Sequence, residues 1–171
     1  MLILKLIQSL LKALNSDGTP GQVAAGITLG AALGLTPLLN LHNLLIFSLG
    51  VILNVSFPGV MLGWLAFAPV GFALDPLFDA VGRLLLVDAT VLLPLWTAFY
   101  NTPVLALANL NNTVVLGSLI SWIVGTVPLF FLLRWAVSRY RATVYERLRK
   151  TRLMRAVRAS KIYNFYTMLR P

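Results

Sequence analysis

The chain has 171 residues, of which 58% are hydrophobic and only 11% are charged, and its formal net charge is +9 at pH 7. A soluble globular domain has about 25% charged residues, so this composition excludes an ordinary soluble fold. The chain contains no cysteine and one histidine, His42, which excludes disulfides, thiolate metal sites and multi-histidine metal sites. We therefore predict no metal, no cofactor and no enzymatic activity.

Charged residues are strongly segregated along the chain. No Asp, Glu, Lys or Arg lies between Asp17 and Asp75, or between Asp88 and Arg134. The helices of a soluble protein need a polar face toward water, which uncharged stretches of this length lack. Most basic residues follow the last apolar stretch, a position that favours contact with anionic lipid over nucleic acid. We predict a bilayer-embedded body with a cationic tail and no nucleic-acid partner.

Residues 2–15 are predicted to form an amphipathic helix at the membrane interface. Leucines and isoleucines form a broad apolar face, and Lys5 and Lys12 lie opposite it. A retained signal anchor is the alternative, although the two lysines interrupt the apolar run and no cleavage site of small residues follows.

The apolar stretch over residues 23–53 is predicted to be a re-entrant helical hairpin. A capping box at Thr19 and Gln22, with Pro20 at the first helical position, indicates where its first helix begins. One straight helix over 23–53 would be about 46 Å long, whereas the hydrocarbon core is about 30 Å thick. A polar tip divides the stretch into two arms that are too short to cross. The tip residues are Thr36, Pro37, Asn40, His42 and Asn43.

Residues 55–74 are predicted to cross the membrane, and residues 75–89 to form a separate interfacial helix. Asp75, Asp79 and Arg83 share one face of this helix at i, i+4 and i+8. They would form an interfacial charge cluster. At greater depth the same residues would suit a proton relay or an ion site.

Residues 90–108 are predicted to form a second re-entrant hairpin with its tip at Asn101, Thr102 and Pro103. Polar groups within apolar segments must form hydrogen bonds to protein or contact water, because burying one without a hydrogen bond costs a few kcal/mol. The two tips could therefore line a polar path, or their side chains could simply hold bent helices together.

The sequence thus predicts an all-α integral membrane protein with a membrane domain over residues 1–136 and a basic cytoplasmic tail over 137–171. Residues 114–135 form the clearest transmembrane helix and the second of two full crossings. The basic residues at both ends place both termini in the cytoplasm. The two hairpins would enter from opposite sides, as in transporters built from inverted repeats.

Gly26, Gly30 and Gly34 form a line of small residues on one helix face. Such a face allows another backbone to approach closely. We expect the second arm of the same hairpin to pack there. The alternative is a helix of another subunit, which leaves a homo-oligomer open.

Six basic side chains of the C-terminal region are predicted to contact anionic phospholipid headgroups. They surround an apolar stripe at helical spacing, so the tail would rest on the membrane surface. Binding of a cytosolic partner is the competing use. The six residues are Arg139, Arg141, Arg147, Arg149, Lys150 and Arg152.

Three stretches resemble a family of small bacterial inner-membrane proteins of uncharacterised function, related to a broader group of domains of unknown function. They are LNSDGTPGQVAAGITLGAALGLTPLLNLHN at residues 14–43, LDPLF at 74–78 and LWTAFYNTPVLALANLNNTVV at 95–115. The broader group shares the G-x-x-x-G hairpin, the Thr-Pro tip and an Asn-x-x-x-Pro segment, here Asn54 to Pro58. It typically has Asn-Pro where this chain has Ala68-Pro69. No role of that asparagine carries over.

The resemblance implies a partner, because members of this family are often encoded beside large AsmA-like envelope proteins. Those proteins resemble groove-shaped bridges that carry phospholipid toward the outer membrane. The function implied is an inner-membrane subunit that anchors or feeds such a bridge. Two alternatives remain: a small transporter or channel gated by the opposed hairpins, and a scaffold that recruits cytosolic partners through its basic tail.

Overall fold

The computed structural model describes residues 18–145, which are almost entirely helical and contain no β-strand. The predicted all-α class is therefore confirmed over this part of the chain. The predicted helix over residues 2–15 and four of the six predicted lipid contacts (Arg147, Arg149, Lys150 and Arg152) lie outside the described residues. The helices are α1 Pro20–Leu35, α2 Leu41–Ile52, α3 Phe57–Arg83, α4 Leu93–Tyr100, α5 Pro103–Ala106 and α6 Thr113–Arg139.

The start of α1 is fixed by the predicted capping box. The backbone N–H of Gln22 donates to Thr19 Oγ1 at 3.2 Å, and the backbone N–H of Thr19 donates to Gln22 Oε1 at 2.7 Å. Pro20 at the first helical position loses no hydrogen bond, because that N–H has no partner within the helix. The sequence and the structure therefore agree on where this helix begins.

Helix α3 extends further than expected. Its 27 residues continue through Pro69 and Pro76, and a π-helical turn over Leu84–Asp88 follows. The interfacial helix predicted over 75–89 is thus not a separate element. A proline inside a helix removes one backbone hydrogen bond. Here α1 and α6 pack along α3 and hold it helical across both prolines.

The α1–α3 contact is the most extensive in the fold. The two helices run parallel, because Gly26 lies beside Ser56 at the start of α3 and Gly34 lies beside Ala68 further along it. The glycine line thus packs against α3. The prediction that the second arm of the hairpin packs there is wrong. Helix α2 contacts α1 much less extensively.

Helix α6 lies antiparallel to both α1 and α3. Thr113 at its start contacts Gly82 near the end of α3, and Gly117 contacts Phe78 one turn earlier on α3. Beyond the other end of α6, Arg141 Nη1 donates to the carbonyl oxygen of Gly18 at 2.7 Å. The three helices α1, α3 and α6 therefore form the core, and α2 packs on its outside.

Two helical stretches, Phe57–Asp88 and Thr113–Thr143, are long and apolar enough to cross a membrane. Only 22% of the residues in the most apolar window of each are buried inside the protein. The core helix of a soluble protein would be mostly buried, so these exposed apolar faces favour a surrounding bilayer. They overlap the predicted spans over 55–74 and 114–135.

The segment over residues 90–108 is broken, as the sequence predicted. Helix α4 has 8 residues and ends at Asn101, and α5 has 4 residues and begins after Thr102. Neither piece could cross a bilayer alone. The re-entrant placement of this segment stays a prediction.

The glycine contact between α1 and α3 generates a stability prediction. A Cβ atom at Gly30 would lie 2.8 Å from the backbone nitrogen of Trp64, whereas a Cβ at Gly125 on α6 would meet nothing within 4 Å. We expect Gly30→Ala to lower the melting temperature in detergent. Gly125→Ala should leave it unchanged or raise it, because alanine stabilises an exposed helix by about 0.5–1 kcal/mol relative to glycine. Equal effects of the two substitutions would contradict the close contact.

Candidate functional site

The turn between α1 and α2 is held by two buried polar side chains. Thr36 Oγ1 lies 2.6 Å from Asn43 Oδ1 and 2.8 Å from the carbonyl oxygen of Ala32. Asn43 Nδ2 donates to the carbonyl oxygens of Pro37 at 2.6 Å and Leu38 at 3.3 Å. Both Thr36 and Asn43 are 4% exposed. These two predicted tip residues therefore close the hairpin, and Asn43 also lines the groove described below.

Asn40 connects the same turn to the loop that precedes α6. Its Nδ2 donates to the carbonyl oxygen of Pro37 at 2.6 Å, and its Oδ1 accepts from Asn109 Nδ2 at 2.8 Å. The backbone N–H of Leu41 also donates to the carbonyl oxygen of Leu107 at 3.4 Å. Asn109 has a φ of 53°, a left-handed conformation that asparagine tolerates better than most residues.

The second predicted tip lies elsewhere. Asn101, Thr102 and Pro103 are exposed, and Thr102 Oγ1 donates locally to the carbonyl oxygen of Ala98 at 3.2 Å. Asn40 therefore pairs with Asn109 and not with the second predicted tip. Asn109 was not predicted as a site residue; the signal that could have found it is the cluster of asparagines at 109, 111 and 112.

Two cavities adjoin at the hairpin turn. An apolar groove of about 550 Å³ lies between α1, α2 and α3 and includes Leu33, Phe47 and Trp64 in its lining. A polar pocket of about 480 Å³ lies between the turn and the asparagine loop. Leu39 and Asn40 line both cavities. The apolar groove and the polar pocket are therefore neighbours at the turn.

His42 is buried near this space, with 9% of its surface exposed. Neither ring nitrogen has a hydrogen-bond partner of good geometry among residues 18–145. No group of three His, Cys, Asp or Glu residues in the described part of the chain could hold a metal ion.

The predicted charge cluster connects α3 to the start of α6. Asp79 Oδ1 accepts from Thr113 Oγ1, and Asp79 Oδ2 accepts from Arg83 Nε at 3.0 Å. A carboxylate at this position also faces the positive end of the α6 dipole. Asp75, one turn earlier, is half-buried. Because both oxygens of Asp79 accept hydrogen bonds from protein side chains, the geometry favours a structural role over a proton relay.

The opposite end of the core is also joined by polar contacts. Gln22 Nε2 donates to Asn54 Oδ1 at 2.9 Å, which connects the start of α1 to the loop before α3. Arg141, predicted to contact lipid, binds the backbone of Gly18, whereas Arg139 is exposed. The start of α1, the start of α3 and the end of α6 therefore lie together at one end of the protein.

The fold and these contacts define an all-helical protein with two helices that could span a membrane and a half-length hairpin beside them. The chain belongs to the DUF2062 family, described as an uncharacterized protein conserved in bacteria, whose family model matches residues 5–145. The expected resemblance to a bacterial family of uncharacterised function is thereby confirmed. An "Uncharacterized protein" of Treponema pallidum (strain Nichols) is 26% identical over 156 residues, which cover 91% of this chain and 96% of that protein. No solved structure matches the chain.

The Asn40–Asn109 hydrogen bond can be measured with a double-mutant cycle. Asn109→Gly removes the amide and keeps the positive φ, and Asn40→Ala removes its partner. We expect a coupling free energy of about 0.5–1.5 kcal/mol in the unfolding of the detergent-solubilised protein, because this is the usual net worth of one hydrogen bond. Strictly additive effects would contradict the contact.

The Asp79–Thr113 contact predicts an order of effects. Thr113→Val removes the hydroxyl that joins α6 to α3, so we expect it to lower the melting temperature. Arg83→Gln should lower it less, because the Arg83 side chain is 67% exposed and pairs within its own helix. Thermal unfolding in one detergent at one pH compares the two variants, and the reverse order would argue against Asp79 as a link between the helices.

Proposed function

We propose that this protein is a non-enzymatic inner-membrane subunit of a phospholipid transport assembly that serves the bacterial envelope. In this role it anchors a large AsmA-like bridge protein or feeds lipid into it. The observation that carries the proposal is the half-length hairpin α1–α2. It packs beside the long helix α3, and its turn bears the two-part cavity.

The length of the hairpin supports a re-entrant position. Helix α1 has 16 residues and is about 24 Å long, whereas α3 has 27 residues and is about 40 Å long. The two helices begin at the same end, and the end of α1 at Leu35 lies beside Gly71 in the middle part of α3. If α3 spans the bilayer, the hairpin turn lies within the hydrocarbon and not at the far surface.

A turn at this depth would disturb the surrounding lipid. Leu39 is 92% exposed, and large apolar side chains also cover the outer face of α2. Polar backbone at depth is tolerated only beside protein or in a wet cavity. The asparagine pocket supplies such a cavity next to exposed apolar surface. A lipid could therefore meet polar groups below the headgroup level, which suits guidance of lipid better than chemistry on it.

The transporter alternative has less support. Opposed hairpins that act as gates need both tips on one path, but Asn101 is exposed and Asn40 pairs with Asn109. The scaffold alternative depends on the tail, most of which lies beyond residue 145. The proposal of an AsmA-like partner is supported by the family resemblance, and the proposed re-entrant placement is supported by the lengths of the helices.

The chain has no cysteine, so its topology can be mapped with single cysteines. With both termini in the cytoplasm, we expect an impermeant maleimide added outside spheroplasts to label Asp88→Cys and not Asn54→Cys or Ser138→Cys. Leu38→Cys, at the turn but outside the polar pocket, should resist the reagent from both sides in intact membranes and react after detergent is added. Labelling of Leu38→Cys together with Asp88→Cys would mean that the hairpin crosses fully and would overturn the re-entrant placement.

The partner is tested by affinity purification from native membranes in mild detergent, followed by identification of the proteins that accompany the tagged chain. We expect a large AsmA-like envelope protein that is absent when an unrelated multi-pass inner-membrane protein carries the same tag. Deletion of the gene should also increase the permeability of the envelope. Purification as a lone protein, with normal permeability after deletion, would contradict the proposed function.

A further inference from the structure

The two cavities at the hairpin turn are neighbours, one mostly apolar and one polar, and together they offer an amphipathic space. The groove has an apolar lining from three helices, and the adjoining pocket has asparagines at 40, 109, 111 and 112 in its lining. The two parts share Leu39 and Asn40. Each volume falls within the range of about 300–1,000 Å³ that is typical of ligand sites. A ligand that occupies both parts needs an apolar chain joined directly to a polar group.

The charge of the lining restricts the polar group. Neither part of the space is lined by Asp, Glu, Lys or Arg. A phosphate or carboxylate would enter without a cation to pair with it, which is costly in a low-dielectric site. A metal ion would lack the carboxylates it prefers. The complementary ligand group is therefore neutral, and amide N–H donors match the carbonyl oxygen of an ester.

The asparagines have hydrogen-bonding capacity left for such a ligand. Asn112 Oδ1 caps α6 by accepting from the backbone N–H groups of Val114 and Val115, which leaves its Nδ2 for another acceptor. The Asn111 side chain is exposed and makes no hydrogen bond to another residue of 18–145. At least two amide groups can therefore donate into the pocket without breaking the contacts that hold the turn.

We propose that this space binds one ester-linked glycerolipid, with an acyl chain in the groove and the glycerol–ester region at the asparagine pocket. The inference deepens the proposed function and rests on the placement of the turn within the hydrocarbon. The charged headgroup lies outside both cavities. The site therefore selects the ester linkage and accepts headgroups of different charge.

The test uses the full chain in nanodiscs with a photoreactive diazirine on the acyl chain of the lipid probe. Three diester probes carry phosphoethanolamine, phosphoglycerol or no headgroup, and a fourth is the ether-linked phosphoethanolamine lipid, which lacks both carbonyls. We expect crosslinks concentrated on groove residues, of similar yield for the three ester probes and several-fold weaker for the ether probe. Peptide mass spectrometry locates the crosslinks.

Two variants and a control sharpen the result. Leu44→Trp fills the groove and should reduce the groove crosslinks several-fold, and Asn111→Leu should narrow the preference for the ester probe. The control is Val124→Trp on the exposed face of α6, outside both cavities. It should change neither the yield of groove crosslinks nor the preference for the ester probe. The melting temperature of each variant shows that it is folded.

Uniform crosslinking of all exposed apolar side chains, unchanged by Leu44→Trp, would mean annular lipid only and would overturn the inference. Equal crosslinking of the ester and ether probes would also overturn it. If the site fails but the large partner still co-purifies, the proposed function stands without this site. If the site binds lipid and no partner is found, the site stands and the proposed transport assembly fails.

Discussion

The close backbone contact between α1 and α3 is the constraint on which the other features depend. Glycines on both helices face each other's backbone, so that Gly30 lies beside Trp64 and Gly63 lies beside Ile27. In a bilayer such packing supplies the attraction between helices that water supplies in a soluble core, because close approach multiplies dispersion contacts. The contact fixes the depth of the hairpin turn against α3. The cavities, the Asn40 contact and the position of the asparagine loop follow from that depth.

The remaining contacts hold the two ends of the same core. Asp79 joins α3 to the start of α6, and Arg141 joins the end of α6 to the residue before α1. Asp79 and Arg83 are thereby engaged in structural contacts. The polar side chains near the hairpin turn are amides, a hydroxyl and the imidazole of His42. Charged side chains therefore join the ends of the helices, whereas the polar side chains at the hairpin turn are the ones that could contact a ligand.

Much of the fold could be predicted from local signals. The Thr19 capping box, the Thr36-Pro37 break and the apolar length of α6 are each encoded within a few residues, and the structure reproduces them. The continuity of α3 through Pro76 could not be predicted, because neighbours distant in sequence stabilise it. The pairing of Asn40 with Asn109 spans 69 positions and depends on how α6 packs. No local signal at either asparagine indicates its partner.

The parallel arrangement of α1 and α3 has a consequence for biogenesis. The glycine face of α1 is covered by a helix that is synthesised after the whole of α2, so the hairpin emerges from the ribosome before its packing partner exists. If α3 spans the bilayer as proposed, neither arm of the hairpin is long enough to cross beside it. We would then expect the insertion machinery to retain the hairpin until α3 arrives, so that the two enter the lipid together. The order of insertion would follow the packing of the helices and not the order of the chain.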